Sequence, residues 1–123
     1  MTTLRLTPSR APLLWLLFGA GGMLAALLGP VLVFITGIAV PLGWTLPADY
    51  LSYPRALAFA QHWAGKAFLA AVIVLFAWHA AHRLFHSLHD LGIPTGVVSK
   101  IACYGGAALV SAVALVALLA LGF

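Results

Sequence analysis

Carboxylates are almost missing from this chain, which has two acidic residues, Asp49 and Asp90, and no glutamate in 123 residues. No acid–base pair, activated nucleophile or phosphate-binding loop can be assembled from its motifs, so a standalone enzyme is disfavoured. The single cysteine, Cys103, excludes an internal disulfide and reads as a small core residue in an apolar run. Strand-like alternation is absent, which excludes a barrel. Charge of either sign is scarce at 7% of residues, and the six Lys+Arg stand singly, at the ends of apolar runs except for Lys66, which lies inside one. Without a basic stripe or an aromatic-interleaved patch, nucleic acid is not an expected partner.

Apolar side chain takes the place of charge, at 64% of the sequence. A chain of this length forms one domain, 1–123, and a single small core cannot bury so much apolar surface. Lipid must cover the rest. Three apolar segments are legible, at about 13–40, 56–81 and 97–121. Each exceeds the ~20 residues needed to cross the hydrocarbon as a helix. Backbone groups in lipid must pair within their own segment, so the expected fold is all-α with three transmembrane helices. Pro41, Gly43 and Pro47 punctuate the first break, and Pro54 suits the first turn of the next helix. Gly92 and Pro94 mark a helix stop. The second helix is therefore expected to run over 56–90, leaving the membrane near residue 82. Pro30 predicts a kink or local loosening in the first helix.

Basic residues flanking the spans give an orientation. Arg5, Arg10, Arg83 and Lys100 fall on one side and Arg55 on the other, which predicts a cytoplasmic N-terminus and a C-terminus outside. The first apolar run is too long for a signal-peptide core and lacks a cleavage site, so no secretory leader is expected. Small residues repeat on the first helix (Gly19 to Gly22, Ala26, Gly29) and on the third (Ala102, Gly105, Gly106, Ala108, Ser111). These suit close helix approach in lipid and a subunit that packs on others.

The second helix carries most of the chemistry. By helical phase, Arg55, His62 and Lys66 share one side, while His79, His82, His86 and His89 share another at the cytoplasmic end. Arg83 lies among them. Histidine pairs at this spacing can chelate a metal, but no cysteine or carboxylate other than Asp90 accompanies them. Bis-histidine haem draws ligands from facing helices, and the other two contain no histidine, so neither metal nor haem is expected within this chain alone, while a haem shared with a partner subunit stays open. The plainer reading makes His86 and His89 interfacial residues wetted by water and headgroups. Trp15 reads either as an aromatic-belt anchor or, with Phe18, His82 and Arg83, as one wall of a half-apolar pocket that suits a quinone.

Four stretches carry a resemblance: Trp15-Leu-Leu-Phe18-Gly19-Ala20-Gly21-Gly22-Met23, Pro41-Leu-Gly43, Leu51-Ser-Tyr53 with Leu57-Ala-Phe59-Ala-Gln61, and His82-Arg83-x-x-His86-x-x-His89-Asp90-Leu91. Their order and spacing resemble the D subunit of bacterial fumarate reductase over nearly the whole chain. The resemblance implies a non-catalytic, multi-pass anchor in the bacterial cytoplasmic (inner) membrane. With a C subunit it would hold a flavoprotein subunit, bearing FAD, and an iron–sulfur subunit with its clusters. The complex would oxidise menaquinol and reduce fumarate in anaerobic respiration, with no haem. Carried over by position, the resemblance implies that Trp15, Phe18, Gly19, His82, Arg83 and His86 line a shared menaquinone site near the iron–sulfur subunit. It puts Arg83 and Trp15 on the quinone head, makes His82 and His86 wall or water-network residues, and leaves the proton acceptor mainly to the partner subunit. The resemblance gives His62 and His79 no role. Lys66 reads as snorkelling, pairing with a partner chain, or bordering a second quinone site, in that order. A succinate dehydrogenase-type anchor with haem b is the alternative reading, and a small transporter-like subunit is a further one.

Overall fold

The computed structural model describes residues 11–123, so Arg5 and Arg10 lie outside the described residues. All regular structure among the described residues is helical: α1 (Ala11–Phe34) leads into a π-helical turn (Ile35–Ala39), followed by α2 (Tyr53–Gln61), α3 (Trp63–Asp90) and α4 (Val97–Ala120). Three stretches, Pro12–Ala39, Trp63–Asp90 and Val97–Ala120, are long and apolar enough to span a bilayer. The chain is a multi-pass membrane protein. Helix α3 is central, packing on α1 along one side and on α4 along another.

The helix expected over 56–90 is broken at His62. Its backbone turns extended (ψ 136°) between α2 and α3, and its Nδ1 accepts the Ala64 N–H at 3.2 Å as the N-cap of α3. The chain folds back so tightly there that a Cβ on Gly65 would collide with the Phe59 carbonyl. The shared face of Arg55, His62 and Lys66 therefore does not form, because helical phase is lost across the corner. Arg55 instead pairs with Asp49 in the preceding loop at 3.2 Å, both side chains exposed. Such a pair contributes at most about 1 kcal/mol. Pro54 occupies the first turn of α2, as expected.

Pro30 does not interrupt α1. The loosening comes a turn later, where the Val40 N–H donates to the Ile35 carbonyl at 3.0 Å, five residues back. A wide turn of this kind admits one extra residue per turn without leaving the helical path. At the far end of α3 the glycine stop forms as expected. Gly92 takes φ +72°, the Ile93 N–H reaches the Leu88 carbonyl at 3.1 Å, and the Gly92 N–H reaches the His89 carbonyl at 3.0 Å. This six-to-one and five-to-two pairing satisfies two orphan carbonyls of the last turn.

Small residues decide where α1 meets α3. A Cβ on Gly21 would strike the Leu75 carbonyl and come within 2.8 Å of the His79 Cβ; one on Gly22 would come within 2.7 Å of the imidazole Cε1. Gly19 and Gly29 have open space instead. On α4 the buried line is Cys103, Ala107 and Ser111, with Leu118 further along. Of the face expected from the sequence only Ser111 belongs to it, since Ala102, Gly106 and Ala108 are exposed. The packing face is turned by about one residue, roughly 100°.

At the end of the bundle where α2 turns into α3, two polar side chains hold the C-terminus of α4. Lys66, 7% exposed, donates through Nζ to the Leu118 carbonyl, and the Phe123 ring centroid lies 4.9 Å from the ammonium. Gln61 Nε2 donates to the Leu121 carbonyl at 2.9 Å. The last carbonyls of a helix lack partners and carry partial negative charge, so a buried cation is stabilised there. Lys66→Met keeps the apolar stem and removes the donor. It is expected to cost about 1.5–3 kcal/mol, read as a lower thermal midpoint of the purified assembly in detergent.

Candidate functional site

At the opposite end of the bundle α1 begins, α3 emerges and α4 begins. The Trp78 and His82 side chains lie one turn apart on α3, as Lys100 and Tyr104 do on α4. The His82 ring stacks on Phe18 of α1, with centroids 4.1 Å apart and planes 12° apart. Its Nδ1 lies 3.0 Å from the Tyr104 hydroxyl. Tyr104 sits in turn beside Trp78 at 6.3 Å and Phe85 at 5.7 Å. His86 sets its ring edge-on to His82 at 4.4 Å. Three helices thus converge on one wall of aromatic rings, of which Phe18 and His82 are nearly parallel.

His79 holds that wall in place. Its Nδ1 lies 3.0 Å from the Phe18 carbonyl oxygen, across the crossing that Gly21 and Gly22 leave open. A carbonyl only accepts, so Nδ1 carries the hydrogen and donates it. The bond fastens α1 to α3 at the residue whose ring stacks on His82.

Cavities lie on both sides of the Phe18–His82 pair. The smaller, about 240 Å³, is lined by Trp15, Phe18, Gly19, His79 and His82. The larger, about 740 Å³, lies between α1 and α4 over α3, and takes Leu14, Trp78, Lys100, Ile101, Tyr104 and Gly105 in addition to the shared Trp15, Phe18 and His82. Trp15, 79% exposed, stands at the mouth of both.

Of the residues singled out from the sequence, Trp15, Phe18, Gly19 and His82 come together around the smaller cavity. Arg83 does not join them. It is exposed and lines neither cavity, because one residue beyond His82 points about 100° away around the helix. His86 reaches the site only through the edge of the His82 ring. His79, to which the sequence pattern assigned nothing, lines the smaller cavity. Trp78, Lys100 and Tyr104 were missed. Their four-residue spacings from His82 and from each other were the available signal, but only the packing of α4 on α3 shows that the two pairs face one another. Among the described residues no three His, Cys, Asp or Glu side chains converge as a metal site.

Comparison with known proteins gives the family. The family model for the fumarate reductase D subunit matches residues 6–119. The chain belongs to the fumarate reductase D-subunit family. It is 50% identical to the fumarate reductase D subunit of Photobacterium profundum, over 90% of this chain and 93% of that one. The Vibrio vulnificus protein of the same name is 49% identical over 88% and 86% of the two chains, and the Shewanella sp. one is 45% identical over 89% and 92%. This family member is thus a membrane anchor made of three spanning helices, with its aromatic wall at one end. Tyr104→Phe and His82→Phe, made singly and together, are expected to be non-additive by about 0.6–1.7 kcal/mol in thermal unfolding of the assembly, since either change removes the same bond.

Proposed function

We propose that this subunit anchors a menaquinol:fumarate reductase to the bacterial cytoplasmic (inner) membrane, with its N-terminus in the cytoplasm and its C-terminus outside. Together with a C subunit it holds the flavoprotein subunit, carrying FAD, and the iron–sulfur subunit on the cytoplasmic face. Together they form the site at which menaquinol delivers electrons for the reduction of fumarate. The observation that carries this reading is the smaller cavity, where four residues matched to a quinone site by position in the sequence meet one another in space. At about 240 Å³ it falls below the ~300–1,000 Å³ of a complete small-molecule site, which fits a site finished by a partner subunit.

The residues present suit a quinol head. Phe18 and His82 offer a flat ring surface, and Gly19 leaves space at the α1 backbone, with nothing within 4 Å of where a Cβ would stand. Menaquinol bound there would supply two electrons and two protons. The Trp15 indole N–H is a donor only and suits an oxygen of the head. His79, with Nδ1 held by the Phe18 carbonyl, offers Nε2 when neutral as an acceptor for a hydroxyl hydrogen. The proton acceptor itself belongs mainly to the partner subunits, since this chain lacks an intramembrane carboxylate. Arg83 and His86 stand at the cytoplasmic rim. There Arg83, charged at any cell pH, meets the head or the iron–sulfur subunit once the complex is assembled.

Gly19→Leu places a side chain in the open space of the smaller cavity. It is expected to lower menaquinol–fumarate turnover at least tenfold, while fumarate reduction from an artificial dye in the same membranes is kept. Unchanged quinol turnover would overturn the site. Arg83→Ala is expected to follow the same pattern. Loss of dye-linked activity as well would instead give Arg83 the task of holding the soluble subunits.

A further inference from the structure

The larger cavity is left without an occupant by that reading. It runs between α1 and α4 with α3 as its floor, on the Tyr104 side of the Phe18–His82 wall. Its lining is amphipathic along its length. Lys100, in the first turn of α4, stands at the end where the helices leave the membrane. Tyr104 and Gly105 follow about one turn deeper, and Trp78 lies on the floor. Leu14 and Ile101 form exposed apolar flanks, 51% and 65% accessible. Lys100 makes no ion pair or side-chain hydrogen bond among the described residues. Among the described residues no carboxylate lines the cavity. An ammonium above an apolar, aromatic slot complements an amphiphile with an anionic head and an alkyl tail. A neutral quinol head gains little from that cation, whereas a phosphodiester gains both a point charge and flexible donors.

We infer that the cleft between α1 and α4 binds one anionic phospholipid, with its phosphate at Lys100 and the first part of an acyl chain over Trp78, Ile101 and Gly105. The site is separate from the quinol cavity and shares with it only the Trp15–Phe18–His82 partition. The lipid fills the gap that α1 and α4 leave beside α3, on the side of the stacked wall opposite the quinol.

The test uses the purified complex containing this chain. It is exchanged in mixed micelles of phosphatidylglycerol and phosphatidylcholine, and retained lipid is counted by native mass spectrometry. The wild type is expected to retain one phosphatidylglycerol with roughly fivefold preference over phosphatidylcholine, the effect of about one basic residue at the surface. Lys100→Gln is expected to abolish the preference while lipid is still retained. Gly105→Leu, whose Cβ would meet nothing nearer than the Ile101 Cγ2 at 4.0 Å, is expected to expel the lipid. Quinol turnover should persist in both variants. Equal retention of the two lipids by the wild type, or undiminished preference in Lys100→Gln, would overturn the inference. So would loss of quinol turnover in Gly105→Leu with dye-linked activity kept, because the larger cavity would then be the quinol site.

Discussion

Everything at the functional end depends on how closely α1 can approach α3. Lipid offers no hydrophobic driving force between helices, so contact must come from packing and from polar groups that bond across the gap. Gly21 and Gly22 remove the side chains that would hold the two backbones apart, and the His79 imidazole fills the space they leave. Its bond to the Phe18 carbonyl then ties the helices at one height and in one rotation. The stacking of Phe18 on His82, the partition between the two cavities and the placement of Trp15 all follow from that single tie.

The bundle is fastened at its two ends by different means. At one end, aromatic rings and imidazole nitrogens join α1, α3 and α4 through Phe18, His82 and Tyr104. At the other, Lys66 and Gln61 bond to carbonyls in the last turn of α4 and beyond it. Between the ends the contacts are small: Cys103, Ala107 and Ser111 let α4 lie close on α3 without interlocking large side chains. Large apolar side chains point outward instead, Leu16, Met23 and Val98 among them, as suits a surface that faces lipid or other subunits. A chain that spends its polar groups on its own helix ends and keeps apolar faces outward is built as part of a larger membrane assembly.

Much of this was legible in the residues. The spans, the stop at Gly92 and the entry at Pro54 each rest on local chemistry that needs no neighbour. The cluster of Trp15, Phe18, Gly19 and His82 was legible through its resemblance to a family pattern, although the separation between the first three and His82 is long. Arg83 was placed with His82 by the same resemblance, but one residue further along a helix points about 100° away, and the side chain lines neither cavity of this chain. The break at His62 was hidden for another reason. Histidine is a poor marker of a helix start, and only the collision that Gly65 avoids with the Phe59 carbonyl shows how sharply the chain turns.

The sequence by itself determined that the chain is helical and crosses the membrane three times. An apolar run longer than the hydrocarbon is thick can satisfy its backbone only internally, and that constraint is local. Only the tertiary structure decided which face of each helix meets another. Helices that are apolar all round carry no periodic signal of their contact side. The choice between Gly21 and Gly29 and between Cys103 and Ala102 was made by how closely the backbones can approach. It also decided that one histidine wall has a cavity on each face, because that depends on three helices placed at once.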